Sequence, residues 1–308
     1  MNIQTAKLLV SIVGPTAVGK TAVAIKLAQT YNAEIISVDS RQFYREMNIG
    51  TAKPNVEELN AVPHHFINCL SVKDEFNVFD FERQALNTIE GLIGNNEVVI
   101  MAGGSGLYLH GIWNGFDENL PGADDSYRYE LNEILNKRGI KPLQNKLLQH
   151  DPDTYNTIDL NNPVRLIRAL EIIKLSDQLP SEIKTQKGAN RSFQTLKIGL
   201  EMDRQDLYDR INRRVDNMVK NGLVEEAKTL LPFKDKNALK TVGYQELFRY
   251  FRGEISLEDA IDKIKVNSRR YAKRQMSWFR RYTDIEWFKP DEFEEIVRLI
   301  NQRLRNES

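Results

Sequence analysis

Cysteine is nearly absent. Cys69 stands alone in 308 residues, so no internal disulfide can form and no zinc site built from several thiolates can exist. Long apolar runs are missing as well, none approaching the roughly 18 residues that a membrane span requires. The opening residues 1–7 carry no charged-then-apolar leader and run straight into a strand-like segment. No signal peptide is expected, and the chain is expected in the cytoplasm. Charge of one sign is lacking too: 43 basic side chains balance 43 acidic ones, which argues against a uniformly basic nucleic-acid binder and leaves room for a local basic patch. Histidine is scarce, and no metal-ligand spacing links His64, His65, His110 and His150, which read as structural or surface residues.

What is present is a folded α/β chain. An apolar share of 41% suits a globular protein, and at about 150 residues per domain the length fits two domains, or one large domain with an insertion. Residues 7–13 (KLLVSIV) read as a buried parallel strand, 21–30 as a helix, and 34–39 (EIISVD) and 97–102 (EVVIMA) as further strands. Residues 196–202 (LKIGLEM) would return a strand to the same sheet. Alternation of this kind predicts βαβ units. Between 117 and 193 the composition shifts to Asn, Asp and Lys with helical periodicity, and Asn162-Pro163 is a helix start with its cap. The expected architecture is a P-loop NTPase-like parallel sheet flanked by helices, residues 1–116 and 194–308, interrupted by a helical insertion domain at 117–193.

The run Gly14, Pro15, Thr16, Ala17, Val18, Gly19, Lys20, Thr21 fits G-x-x-x-x-G-K-[ST] without departure, after a strand and at the start of a helix. Such a loop presents backbone N–H groups and a helix N-terminus to phosphate, Lys20 adds a point charge, and Thr21 offers a hydroxyl to Mg²⁺. The loop specifies a diphosphate or polyphosphate, and leaves the reaction open. Asp39 ends the second strand at the crevice where open α/β sheets bind ligands. It could coordinate a metal, accept a hydrogen bond or a proton from a second substrate, or cap the following turn. The segment from Ala102 to Gly106 brings the Ser105 hydroxyl to the same crevice.

Arg210 and Arg214, four residues apart on a helix expected over 206–231 with Leu207, Ile211, Val215 and Met218 on its buried stripe, are neighbours on one side. Their guanidinium forks suit a diphosphate, or else pair with Asp206 and Asp209. Residues 263–281 hold eight basic side chains and no acidic one. On a helix these form a broad arc including Lys273, Arg274 and Arg280, opposite Ile264, Tyr271, Trp278 and Phe279, which would dock on the core. A one-signed face of this kind suits RNA phosphates.

These blocks together resemble the bacterial tRNA dimethylallyltransferase (IPP transferase) family. The matching segments are GPTAVGKT (14–21), ISVDSRQFYREMNIGTAKP (36–54), PHHF (63–66), GGSGLY (103–108), NNPVRLIRALEI (161–172), DLYDRINRRVDNMVKNGLVEEA (206–227), TVGYQE (241–246) and RRYAKRQMSWFRR (269–281). They span nearly the whole chain in family order. One departure is Ser105, where the family commonly has Thr; the hydroxyl is kept.

The resemblance implies transfer of a dimethylallyl group from its diphosphate to N6 of adenosine 37 in tRNAs that read codons beginning with U. Residues 14–21 would hold the diphosphate with Mg²⁺ at Thr21. Lys20, Ser105, Arg210 and Arg214 would stabilise the leaving group, and Asp39 would accept the N6 proton. The adenosine would be extruded into a channel edged by Asp39, Ser40, Arg41 and Gln42. Further tRNA contacts would come from Ser105, Arg128, the run Val164, Arg165, Leu166, Ile167 and Arg168, and from Lys273, Arg274 and Arg280. The expected partners are the tRNA anticodon stem-loop and dimethylallyl diphosphate, with no membrane, and the chain is expected to act as a monomer. A small-molecule kinase would use the same loop but leave the basic helix unexplained. A prenyltransferase of free adenine nucleotides would need neither that helix nor the insertion.

Overall fold

The computed structural model of the protein describes residues 7–116, 120–176, 178–183 and 191–305. The described residues divide into two compact units, one drawn from 1–113 and 190–308, the other from 114–189. The expected boundary at 117 falls outside the described residues. The expected boundary at 193/194 is too late, because Arg191 donates to the Ile112 and Gly111 carbonyls at 3.0 and 2.7 Å and Phe193 is buried in the core of the first unit.

In chain order the first unit begins with β1 (Leu8–Val13), α1 (Lys20–Tyr31), β2 (Ile35–Val38), α2 (Val56–Ala61), β3 (His64–His65), α3 (Val78–Asn95), β4 (Val98–Gly103) and α4 (Gly106–Asn114). The second unit carries α5 (Asp125–Arg138), α6 (Lys141–His150), α7 (Pro152–Thr157) and α8 (Pro163–Leu175). The chain then returns through β5 (Gln194–Leu200), α9 (Arg204–Lys220), α10 (Leu223–Leu230), α11 (Tyr244–Phe251), α12 (Leu257–Phe279), β6 (Ile285–Phe288) and α13 (Phe293–Arg305).

The six strands form one parallel sheet in the order β3-β2-β4-β1-β5-β6. β1, β2 and the first four residues of β4 are buried throughout, as expected of strands covered on both faces. The two faces give two apolar clusters, one under α3, α10, α11 and α12 and the other under α1, α9 and α13. β3 and β6 were not expected from the sequence. They are short edge strands of two and four residues, without the long apolar run that marks the central ones.

Register decides the site. Val13 pairs with Gly103, and Gly103 pairs with Val38, so β1, β2 and β4 end at one level and their following loops share one crevice. Gly14 turns the chain there at φ 143°, and a Cβ on it would press on the Leu200 carbonyl at 2.5 Å, so only glycine serves. The single helix expected over 206–231 is two helices: Gly222, at φ 99°, ends α9 and starts α10 in a new direction.

The second unit packs α5, α6 and α8 around Tyr127, Leu131, Leu143, Leu147, Leu166 and Leu170. α8 starts as expected, with Asn162 Oδ1 accepting the Val164 and Arg165 amides and Pro163 in the first turn.

Candidate active site

The phosphate loop leads into α1 with Gly19 at its start and no side chain capping the helix, which leaves its first amides for an anion. Lys20 Nζ is folded back onto the loop, donating to the carbonyls of Gly14 at 3.1 Å and Pro15 at 2.8 Å. Burial lowers its pKa to about 8, with Asp39 pulling it up and Arg214 pushing it further down. Arg214 reaches the loop from α9, donating to Thr16 Oγ1 at 3.2 Å and to the Thr51 carbonyl at 3.5 Å. Burial holds its guanidinium below the usual arginine value, opposed by the nearby Asp39. Arg210, one turn earlier, lies exposed beside Gly19, and neither arginine pairs with Asp206 or Asp209. The two forks therefore face the loop.

Across the crevice, Asp39 Oδ1 accepts the Arg41 amide at 3.0 Å, so the side chain does cap its own turn while lining the cavity. Ser105 Oγ accepts the Ser40 amide at 3.0 Å and lies 3.4 Å from Ser40 Oγ, tying the end of β4 to the turn after β2. Arg41 Nη1 donates to the Asn237 carbonyl at 2.9 Å. Gln42 departs from expectation. It is turned inward and buried, its amide donating to the Thr51 and Ala52 carbonyls while its oxygen accepts from Ser37, so it is a brace for the 51–52 loop instead of an RNA-facing group.

Two cavities meet here. One, of about 1130 Å³, is lined by Thr16, Ala17, Gly19, Lys20 and Thr21 of the phosphate loop together with Arg210 and Arg213. The other, of about 690 Å³, opens between α12, residues 240–246 and Leu107–Tyr108. Asp39, Arg214, Tyr271, Gln275 and Gly104 line both. The wall between the chamber lined by the phosphate loop and a smaller, partly apolar one thus carries a carboxylate, a guanidinium and a phenol.

α12 supplies much of that wall. Ile264 and Phe279 are buried as expected. Tyr271 is not docked on the core: it is 38% exposed and faces the cavities, where burial and the Asp39 charge raise its hydroxyl beyond the usual tyrosine range. Lys273, Arg274 and Arg280 are exposed. Arg274 lies over the Tyr271 ring at 5.7 Å, and Arg280 pairs with Glu201 at 3.3 Å. Gln275, Glu226 and Tyr244 were not expected at the site. An uncharged glutamine on the apolar arc of a basic helix is the signal that marks Gln275; Glu226 sits on an ordinary amphipathic helix and carries none.

Within the second unit, Val164 and Arg165 are exposed at the start of α8, where a contact can be made. Leu166 and Ile167 are buried in that unit's core and cannot touch RNA; helical periodicity turns them inward. Arg128 and Arg168 are engaged internally. Both grip the fully buried Glu171 carboxylate, at 2.7 Å each, and Arg168 also donates to the Pro121 and Gly122 carbonyls.

The donors for a cation are few. Among the described residues no group of three or more His, Cys, Asp or Glu side chains could hold a metal. Thr21 and Asp39 line the same chamber, a set that fits Mg²⁺ only as an ion sharing its shell with phosphate oxygens and water, the usual way that ion is bound. No helix among the described residues is long and apolar enough to cross a membrane.

The IPP transferase family model matches residues 42–282, beginning after the phosphate loop. The chain is 50% identical to a tRNA dimethylallyltransferase of Christiangramia forsetii, over 92% of this chain and 94% of that one. It is 47% identical to that of Flavobacterium johnsoniae, over 97% and 99%. Among solved structures, the full-length tRNA isopentenylpyrophosphate transferase of Bacillus halodurans superposes with a TM-score of 0.73 at 41% identity, covering 98% of each chain. A eukaryotic dimethylallyltransferase acting on tRNA gives 0.75 at 29% identity, covering 89% of this chain and 70% of that one.

Proposed function

The chain belongs to the IPP transferase family, and from that premise we propose that it transfers a dimethylallyl group from dimethylallyl diphosphate to N6 of adenosine 37 in tRNAs that read codons beginning with U. The observation that carries this reading is the shared wall: Asp39 and Arg214 stand between a chamber lined by a phosphate loop and a chamber edged by a basic helix. A donor with a diphosphate head and a base extruded from its stack could meet at that wall from opposite sides.

The diphosphate sits on residues 14–21, with Lys20, Arg210 and Arg214 receiving the negative charge that grows as the C1–O bond breaks. The Ser105 hydroxyl, which donates to Ser40 Oγ at 3.4 Å while its oxygen accepts the Ser40 amide, would turn its proton to the leaving group. N6 of adenine is a weak nucleophile; Asp39 accepts its N–H, orients the lone pair toward C1 and takes the proton as the N6–C1 bond forms. The products are N6-(dimethylallyl)adenosine, diphosphate and a protonated Asp39. Mg²⁺ held by Thr21 and the diphosphate oxygens would neutralise leaving-group charge. Ser40 and Arg41 edge the base channel, while Lys273 and Arg274 track anticodon-loop phosphates. We place the reaction in the cytoplasm, carried out by a monomer.

The test uses dimethylallyl diphosphate labelled in its prenyl group, Mg²⁺ and undermodified tRNA, with AMP and ATP controls, run beside Asp39→Ala. Label recovered as N6-dimethylallyl adenosine only with tRNA, and sharply reduced in the variant, establishes the proposal. ATP turnover, or prenylation of AMP without RNA, would hand the chain to a kinase or a nucleotide prenyltransferase.

A further inference from the structure

Gln275 is 6% exposed although it belongs to the most basic helix of the chain. Its side chain is fully engaged across the crevice. Oε1 accepts the Thr16 amide at 2.8 Å, and Nε2 donates to the Gly104 carbonyl at 2.9 Å. One carboxamide therefore joins three separate pieces: the phosphate loop, the end of β4 and α12. Thr16 is the residue whose hydroxyl also receives Arg214. Its amide would otherwise be one of the loop donors free to swing toward an anion or water. Gly104 has no side chain for a reason that involves the same amide, since a methyl built there would overlap Gln275 Nε2.

From this geometry we infer that Gln275 is a positioning residue for the diphosphate donor: it fixes the first turn of the phosphate loop from the RNA-facing helix, without touching the reacting atoms. The amide is suited to that task because it both accepts and donates, so it satisfies an N–H on one side and a C=O on the other with a single rigid plane. No charged residue could do both beside a diphosphate. The helix that carries it holds Tyr271 one turn before and Trp278 one turn after on the cavity side, with the exposed Arg274 at the cavity's edge and Lys273 turned to solvent. The loop that holds the donor and the helix that faces the RNA are thereby mechanically one piece at this point.

The inference rests on the function proposed above, and its test separates the two. Donor KM, tRNA KM and inhibition by inorganic diphosphate are measured for the wild type, Gln275→Met, Gln275→Glu and Gly104→Ala. Binding of inorganic diphosphate is also measured by calorimetry without tRNA. Gln275→Met keeps the volume and loses both hydrogen bonds. Donor KM and the diphosphate constant are expected to rise about tenfold, the scale of one net hydrogen bond, with the tRNA KM within about twofold. Gly104→Ala reaches the same amide from the opposite side, displacing it with the glutamine still in place, and is expected to reproduce that pattern. Gln275→Glu keeps the acceptor for Thr16 and loses the donor to Gly104. Its donor KM defect is expected to ease toward low pH, where the carboxyl is protonated and can donate again, a signature that a merely structural role would not produce. Unchanged donor KM and diphosphate binding in folded Gln275→Met and Gly104→Ala would overturn the inference, as would a defect confined to the tRNA KM. If the wild type transfers nothing to tRNA, the proposed function fails while the calorimetric comparison still decides the role of Gln275.

Discussion

The Tyr244 hydroxyl donates to Glu226 Oε1 at 2.7 Å, and that one carboxylate also accepts the backbone amides of Asn48, Ile49 and Gly50 at 2.8 to 2.9 Å. The Tyr244 ring lies so close to Gly50 that no side chain fits there. α10 and α11 thus clamp a loop whose next residue, Thr51, presents its carbonyl to both Arg214 and Gln42. The clamp stands behind the guanidinium that faces the phosphate loop.

Removing the carboxylate strips three amides and a phenol of their acceptor at once. Glu226→Ala is expected to cost about 2 kcal/mol or more of unfolding free energy in urea titration, because orphaned donors lose far more than the net worth of a hydrogen bond. Tyr244→Phe, which leaves the amides paired, should cost about 1 kcal/mol. The combined variant should fall short of the sum, since both act on one network. Equal losses from the two single variants would show that the amides do not depend on Glu226.

The lowered pKa of Lys20, about 8, sets a pH limit on donor capture. Below that value the ammonium is charged and attracts diphosphate; above it the charge is lost in the free enzyme. The donor kcat/KM should therefore decline as pH rises through about 8, while kcat declines at higher pH because bound diphosphate favours the charged lysine. Lys20→Met should have a much lower, flat profile over the same range. A wild-type profile flat to pH 9.5 would refute this assignment.

Glu171 is the buried keystone of the second unit. Burial pushes its carboxyl pKa up, but hydrogen bonds from Arg168 and Arg128 outweigh this and bring it below the usual 4.5. Since the folded value is the lower one, the stabilisation is present above about pH 4.5 and disappears as pH falls through the folded value. Glu171→Gln is expected to destabilise by about 3 kcal/mol at neutral pH, the scale for breaking a buried ion pair from one side. The difference from wild type should narrow below pH 4.5. Melting curves across pH 3 to 7 read both effects.

The exposed and buried parts of the expected RNA surface respond to different measurements. Lys273→Ala and Arg274→Ala should each weaken tRNA binding and reduce the slope of log affinity against log salt by about 1, the mark of one lost phosphate contact. Leu166→Ala should leave that slope untouched and lower stability by about 3 kcal/mol through the cavity it opens. A change of slope in Leu166→Ala, or none in the two basic variants, would reverse the assignment.

The residues that could be read from the linear chain are those whose chemistry depends on neighbours in sequence. Gly14 to Thr21 form a phosphate loop because a strand, a tight turn and a helix start follow one another within eight residues. Asn162 and Pro163 start α8 by local hydrogen bonding, and the spacing of Arg210 and Arg214 places them on one side of α9. The tertiary structure alone decided everything that depends on which pieces meet. The parallel register of Val13, Val38 and Gly103 makes one crevice of three loops. Packing within the first unit turns Gln42 inward and brings Tyr271 out of the core to the cavity that Asp39 lines, and packing within the second commits Arg128 and Arg168 to Glu171. The tertiary fold also gives Gln275 and Glu226 partners 259 and 178 residues away. A side chain's type limits the bonds it can make, and burial in a packed fold selects which of them it must make.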